Sequence, residues 1–140
     1  MRARFCLCCL VAVVGLTMLA GCGTTLNLLS TSVQLRSGDP SAETWYAADS
    51  LYLGSPGRLA ASFSWEDAGS AGTHEYWWEI HKAGQCVRKE TKQSVMFASS
   101  PQMIWVTLDT AAFGVGDFQG KVYLDGDLAA TVPFTIRRAR

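Results

Sequence analysis

The sequence lacks an excess of either charge: its 12 basic and 12 acidic residues cancel, and charged residues make up only 17% of 140. Basic nucleic-acid binders, which carry a clear Lys/Arg surplus, are thereby excluded. An aromatic share of 11% likewise excludes an acidic disordered chain. Histidine is scarce. His74 and His81 are the only two, and neither sits in a metal-ligand spacing such as H-x-x-x-H on a helix. There is no G-x-S-x-G elbow, no Gly-rich phosphate loop and no second cysteine placed for a redox pair. The expectation is a non-enzyme with no catalytic residue and no metal ligand. Glu75, Glu79 and His81 share one face of a regular strand, and that face reads as solvated charge, with a weak surface metal site as the alternative. The length allows one domain at most.

What the sequence does have is apolar character, 49% of all residues, unevenly spread. Met1 to Arg4 carries two arginines, and Phe5 to Ala20 is apolar but for one threonine. A positive start, a short apolar run and small residues before a cut site make a secretory signal peptide. A spanning helix needs about 20 apolar residues and basic flanks, and no Lys or Arg follows here until Arg36. The run ends in Leu19-Ala20-Gly21-Cys22, which resembles the lipobox of bacterial lipoproteins. The resemblance implies cleavage before Cys22 and a covalent lipid on its sulfur, and beyond that lipid no cofactor is expected. Gly23 after the cysteine implies, by the sorting rule of enteric bacteria, an outer-membrane anchor with the domain facing the periplasm. Stable anchoring by two or more chains follows from about 0.8 kcal/mol for each buried CH₂.

Taking residues 1–21 from the 140 leaves 119, and the loss of Arg2 and Arg4 leaves a net charge of −2. Cys6, Cys8 and Cys9 depart with the signal, so Cys86 becomes the sole free thiol. In an oxidising compartment such a thiol is either buried or available to a partner. Burial is expected, because free cysteine is among the most buried residue types.

Residues 22–43 read as the lipidated N-terminus and a flexible tether, rich in Thr, Ser, Asn and Gly and closed by Gly38-Asp39-Pro40-Ser41. Such a coil spans roughly 25 Å. Leu26, Leu28, Leu29, Val33 and Leu35 interrupt its polar character, and a short strand or helix docked on the domain is the alternative.

Residues 44–137 alternate with period two, the mark of half-buried strands, and residues 138–140 form a tail. Leu59, Ala61, Phe63 and Trp65 share a face, as do Tyr76, Trp78 and Ile80. Gln102 to Leu108 is nearly continuous in apolar character and reads as a central strand covered on both sides. Phe118, Gly120, Val122 and Leu124 point inward, as do Leu128, Ala130, Val132, Phe134 and Ile136. A two-residue loop at Asp125-Gly126 would set Leu128 beside the outward Tyr123. A three-residue loop pairs Val122 with Leu128 and Phe118 with Val132, and is preferred because it matches the faces. Pro133 points outward, at an edge or at an unpaired ladder position. At Lys82-Ala83-Gly84 a bulged turn would put Cys86 beside Ile80 in the core, and a two-residue turn beside His81 outside.

Many short strands with turns between them make an all-β sandwich or barrel. Gly116 to Tyr123, the Asp-Gly turn and the alternating last strand resemble the final hairpin of immunoglobulin-like domains in bacterial envelope proteins. The resemblance covers residues 45–137 and implies an antiparallel immunoglobulin-like β-sandwich with Trp78 as its central tryptophan. The chain departs from the antibody pattern in having no disulfide pair and Phe118 at the corner tyrosine. Phe63, Trp65, Trp78, Trp105 and Phe134 are the core candidates, each contributing roughly 1.5 to 3 kcal/mol when well buried.

The leading expectation is a lipid-anchored envelope lipoprotein that binds or scaffolds another envelope protein and does not bind nucleic acid. The alternative is a carbohydrate or peptidoglycan module using Trp77, Trp45 and Tyr46, since exposed aromatics stack on sugars and anchor partners. Against Trp77, the same sequence allows a cation–π contact with Lys89 across the hairpin. A third class, an inhibitor of a secreted hydrolase, would use the loop Ala68 to Thr73.

Overall fold

Alternation along the chain produces ten strands in the computed structural model, which describes residues 26–38, 41, 44–66 and 70–140. The expected signal peptide and lipobox with Cys22, and residues 39–40, 42–43 and 67–69, lie outside the described residues. The strands are β1 (Asn27–Arg36), β2 (Trp45–Ala47), β3 (Leu51–Tyr52), β4 (Pro56–Ser64), β5 (Gly72–Lys82), β6 (Gln85–Lys89), β7 (Gln93–Phe97), β8 (Gln102–Asp109), β9 (Gly116–Leu124) and β10 (Asp127–Arg137). One sheet has the order β2-β1-β4-β8 and the other β3-β10-β9-β5-β6, with β7 also pairing β5. Pairing is antiparallel except for β3, which runs parallel to β10. The result is an all-β, immunoglobulin-like sandwich.

The inward faces of the two sheets meet in one core. Trp78 of β5 lies at its centre, almost wholly buried, with Phe63, Phe118 and Phe134 around it. Phe118 and Phe134 stack at 5.4 Å, so hydrocarbon packing occupies the corner that a tyrosine hydroxyl would close. Gly120 faces inward on β9, where an added Cβ would come within 2.3 Å of Leu59 Cδ1. The missing side chain is the space that Leu59 fills beside Trp78.

Four expectations are corrected. The apolar part of the supposed tether is β1, a ten-residue strand paired with β4 and β2, because Leu35 is buried and Val33 packs on the core. The ordered domain therefore begins at β1 rather than at residue 44. The last hairpin turns on two residues, with Asp125 at φ 50° and Gly126 at φ 91°. This left-handed pair matches the strand twist. A bulge between Leu128 and Ala130 then restores the parity of the faces, so Val122 meets Ala130, Phe118 meets Phe134, and Leu128 is exposed opposite Tyr123.

The remaining two corrections concern tryptophans. β8 is an edge strand, and Trp105 points outward from it, 48% exposed, while Ile104, Val106 and Leu108 face the core. Trp65, just past β4, is only partly buried and stacks on Phe97 at 5.0 Å. Pro133 is exposed on β10 beyond the short stretch that β3 covers, consistent with a residue that has no N–H to give.

His74 fixes the last turn. Its Nδ1 lies 2.5 Å from Asp125 Oδ2 and its Nε2 lies 2.8 Å from the Ser70 carbonyl. The other Asp125 oxygen accepts from the Glu75 N–H at 3.0 Å, and Asp125 N–H donates to the Glu75 carbonyl at 2.7 Å. This histidine holds structure rather than a ligand.

Candidate binding surface

Outward alternation on β4 and its neighbours builds a shelf on the four-stranded sheet. Arg58 stands opposite Gln34 of β1 and Thr107 of β8. Its Nε donates to Gln34 Oε1 at 2.7 Å, and Gln34 Nε2 donates to Ser32 Oγ at 2.9 Å. With its fork so fixed, the Arg58 guanidinium lies 4.7 Å from the Trp45 ring and 5.3 Å from the Trp105 ring. Tryptophan, arginine and tryptophan thus form a row across the four-stranded sheet, from β2 over β1 to β4 and β8, on the face that also carries the small side chains of Ser32, Ala60 and Ser62. Trp105 was missed as a surface residue in the sequence, although it shares parity with Met103 and Thr107 rather than with Ile104 and Val106.

The sequence candidates do not form one site. Trp45 belongs to this shelf. Tyr46 alternates to the other side of β2 and is 52% exposed there. Trp77 lies on the outer face of the other sheet, stacked nearly parallel on Tyr123 at 4.9 Å. The Lys89 and Lys92 ammonium groups sit 5.3 and 5.4 Å from its ring, and its indole N–H donates to Glu79 Oε1 at 3.2 Å. Its faces are therefore occupied, and the contact with Lys89 is formed. The loop considered for an inhibitor lies partly outside the described residues.

Next to the shelf runs the free edge of β8. Eight register pairs join it to β4 without a bulge, from Pro56 with Asp109 to Phe63 with Gln102. Among the described residues nothing pairs with its other side. The strand contains no Lys, Arg or Pro, the residues that blunt exposed edges in natural sheets. β2 and β3 are too short to offer such an edge, β6 carries Arg88 and Lys89, and β7, though uncharged, has five residues against eight in β8. A groove of about 320 Å³ flanks β8, lined by Tyr76, Trp78, Thr91, Gln93, Trp105 and Thr107. The Tyr76 hydroxyl donates to Gln93 Oε1 at 3.0 Å, and burial raises its pKa. Trp78 Nε1 is buried without an acceptor.

On the opposite sheet the β5–β6 hairpin turns on two residues, Ala83 and Gly84, both with positive φ. A bulge between Ile80 and His81 follows, and Cys86 lies opposite His81 on the outer face. The expected burial of Cys86 is corrected: the thiol is exposed. His81 Nε2 is 2.9 Å from Glu79 Oε2, and one donor atom from each of Glu79, His81 and Cys86 falls within 4.8 Å of the others. Burial alone would raise the Glu79 pKa, but hydrogen bonds from His81 and Trp77 and the nearby Lys89 charge outweigh it and lower the value. Glu75 does not join this group and pairs with Lys92 at 3.6 Å.

No family model matches the chain, and no curated protein matches it. Among solved structures it is similar to a β-glucosidase from Listeria innocua in complex with glucose, at 13% identity and a TM-score of 0.52, over 81% of this chain but 16% of that one. It is also similar to the CARDB domain of the PF1109 protein from Pyrococcus furiosus, in complex with di-metal ions, at 8% identity and a TM-score of 0.43, over 82% of this chain and 94% of that one. The soluble domain of PmoD from Methylocystis sp. gives 14% identity and a TM-score of 0.42, over 79% and 96%. At such identities the likeness is one of fold alone.

Proposed function

We propose that this chain is a lipid-anchored, non-enzymatic module of the bacterial cell envelope that holds an extended segment of another envelope protein along the free edge of β8. The observation that carries the reading is that edge: eight residues, regular, uncharged but for Asp109, and unpaired on one side among the described residues. Strand addition supplies main-chain hydrogen bonds, and adjoining pockets supply selectivity. Trp105 and Arg58 beside the edge are of the residue types that dominate protein interfaces. The lipobox at Leu19 to Cys22 supports placement at a membrane, and Gly23 supports the periplasmic side of the outer membrane.

A photo-crosslinking residue placed at Thr107, exposed on β8, is expected to capture one envelope protein in living cells through a single extended peptide. The same residue at Thr131, exposed on β10 of the other sheet, should capture nothing. Trp105→Ala should reduce the Thr107 adduct while the purified domain keeps its thermal stability. Equal capture from both positions overturns the reading. Absence of a protein adduct, together with a shift in tryptophan fluorescence on adding peptidoglycan fragments, hands the shelf of Trp45, Arg58 and Trp105 to a glycan instead.

A further inference from the structure

We propose that Glu79, His81 and Cys86 form a three-donor site for Zn²⁺, with the fourth position open to water or to a donor from a bound molecule. The site is independent of the β8 edge and lies on the opposite sheet. Two strands joined by main-chain hydrogen bonds present the donors: Glu79 and His81 two residues apart on one face of β5, and Cys86 directly opposite His81 on β6. The donor atoms already lie within 4.8 Å of one another. Tetrahedral zinc, with bonds of about 2.0 to 2.3 Å, needs donors roughly 3.5 Å apart. Rotation of the exposed Cys86 side chain, away from the Arg88 carbonyl to which its thiol donates at 3.4 Å, brings its sulfur toward the other two donors.

The donor chemistry selects the metal. Thiolate, imidazole and carboxylate are the three zinc ligand types, whereas Ca²⁺ and Mg²⁺ require shells of oxygen. His81 is only 13% exposed, and its Nδ1 is buried without a partner while its Nε2 contacts Glu79. Glu79 is already oriented: the Trp77 indole holds Oε1 and leaves Oε2 turned to His81. Such outer contacts fix ligands in zinc proteins. Lys89 stands 3.7 Å from Glu79 Oε1, on the oxygen away from His81, and its side chain is largely solvated and able to swing clear. On binding, the Cys86 thiol gives its proton to solvent as the zinc–sulfur bond forms, and the metal replaces the direct contact between His81 and Glu79.

Titration of the reduced full chain with Co²⁺ is expected to give a sulfur-to-cobalt charge-transfer band at one equivalent, displaced by one equivalent of Zn²⁺. Both proteins carry serine at positions 6, 8, 9 and 22, so that Cys86 is the one thiol present, and Cys86→Ser should abolish the band. Trp77→Phe, which removes the donor to Glu79 but no ligand, should weaken Zn²⁺ binding about 10-fold. All three side chains face outward, so the far-ultraviolet circular dichroism of the variants should match the parent. A charge-transfer band that survives Cys86→Ser, or Co²⁺ binding with no such band in the parent, overturns the proposal.

Discussion

Ala83 occupies the left-handed region at φ 49°, beside Gly84 at φ 79°, in a turn that calls for such angles at both positions. A non-glycine residue there costs about 1 to 2 kcal/mol, and asparagine tolerates the conformation better than alanine because its short polar side chain bonds locally. Ala83→Asn is therefore expected to stabilise the domain by about 0.5 to 1 kcal/mol, read as a higher urea midpoint with an unchanged slope. Unchanged or lower stability would mean that the turn carries no strain at this residue. The same turn decides where Cys86 points. The sequence left both registers open, since the residues around Ala83 and Gly84 allow either loop and one residue of slip exchanges the faces. Trp105 was legible by the same parity, but the apolar run from Met103 to Val106 concealed it, because outward Met103 and Trp105 look no different from core residues in a one-dimensional pattern.

At the level of strands, both long hairpins combine a two-residue turn with a bulge a few residues on, between Ile80 and His81 in one and between Leu128 and Ala130 in the other. The turn satisfies local twist, and the bulge restores the apolar face. The inward alternation of β9 and of β10 beyond the bulge was legible in the sequence. The bulges were not, because the extra residues, Val87 and Ala129, carry no local mark in the sequence. Contacts across the sandwich were equally hidden, as with Gly120 against Leu59. Gly120→Ala should destabilise by about 1 to 3 kcal/mol through overpacking. Leu59→Ala alone should cost about 2 to 5 kcal/mol through the cavity it leaves. The double variant should lose clearly less than the sum, since the Leu59 methyl removed is the atom 2.3 Å from the added Cβ. Urea denaturation of the four proteins measures the coupling, and simple additivity would show that the inter-sheet contact is not the cause of the glycine.

For the whole molecule, the decisive difference from the sequence expectation is that β1 belongs to the sandwich. A tether of roughly 25 Å was read from residues 22–43 by composition. Composition could not show that Leu35 and Val33 find a core, which depends on β4 being alongside. On the proposed anchor, the five Cα steps from Cys22 to Asn27 reach at most about 18 Å. The domain then stands close to the lipid by the end where Asn27 meets Ser64, and Phe63 pairs with Gln102 at the start of β8. Leu28 and Leu128 are exposed and line one recess at that end with Leu26, beside Asp125 and Asp127. β8 consequently rises away from the membrane, with its free edge open to a segment approaching from the side. Cys22→Ser should abolish fatty-acid labelling and release the chain from the membrane fraction, leaving the melting temperature of the sandwich, whose described strands begin at Asn27, unchanged. Fatty-acid labelling that persists in Cys22→Ser would place the lipid elsewhere or remove it from the account. A chain that loses the label but still sediments with membranes is held either by the apolar run 5–20, left uncleaved without the lipobox cysteine, or by the exposed leucines, and only in the second case should Leu28→Ser with Leu128→Ser in that background bring it into the soluble fraction.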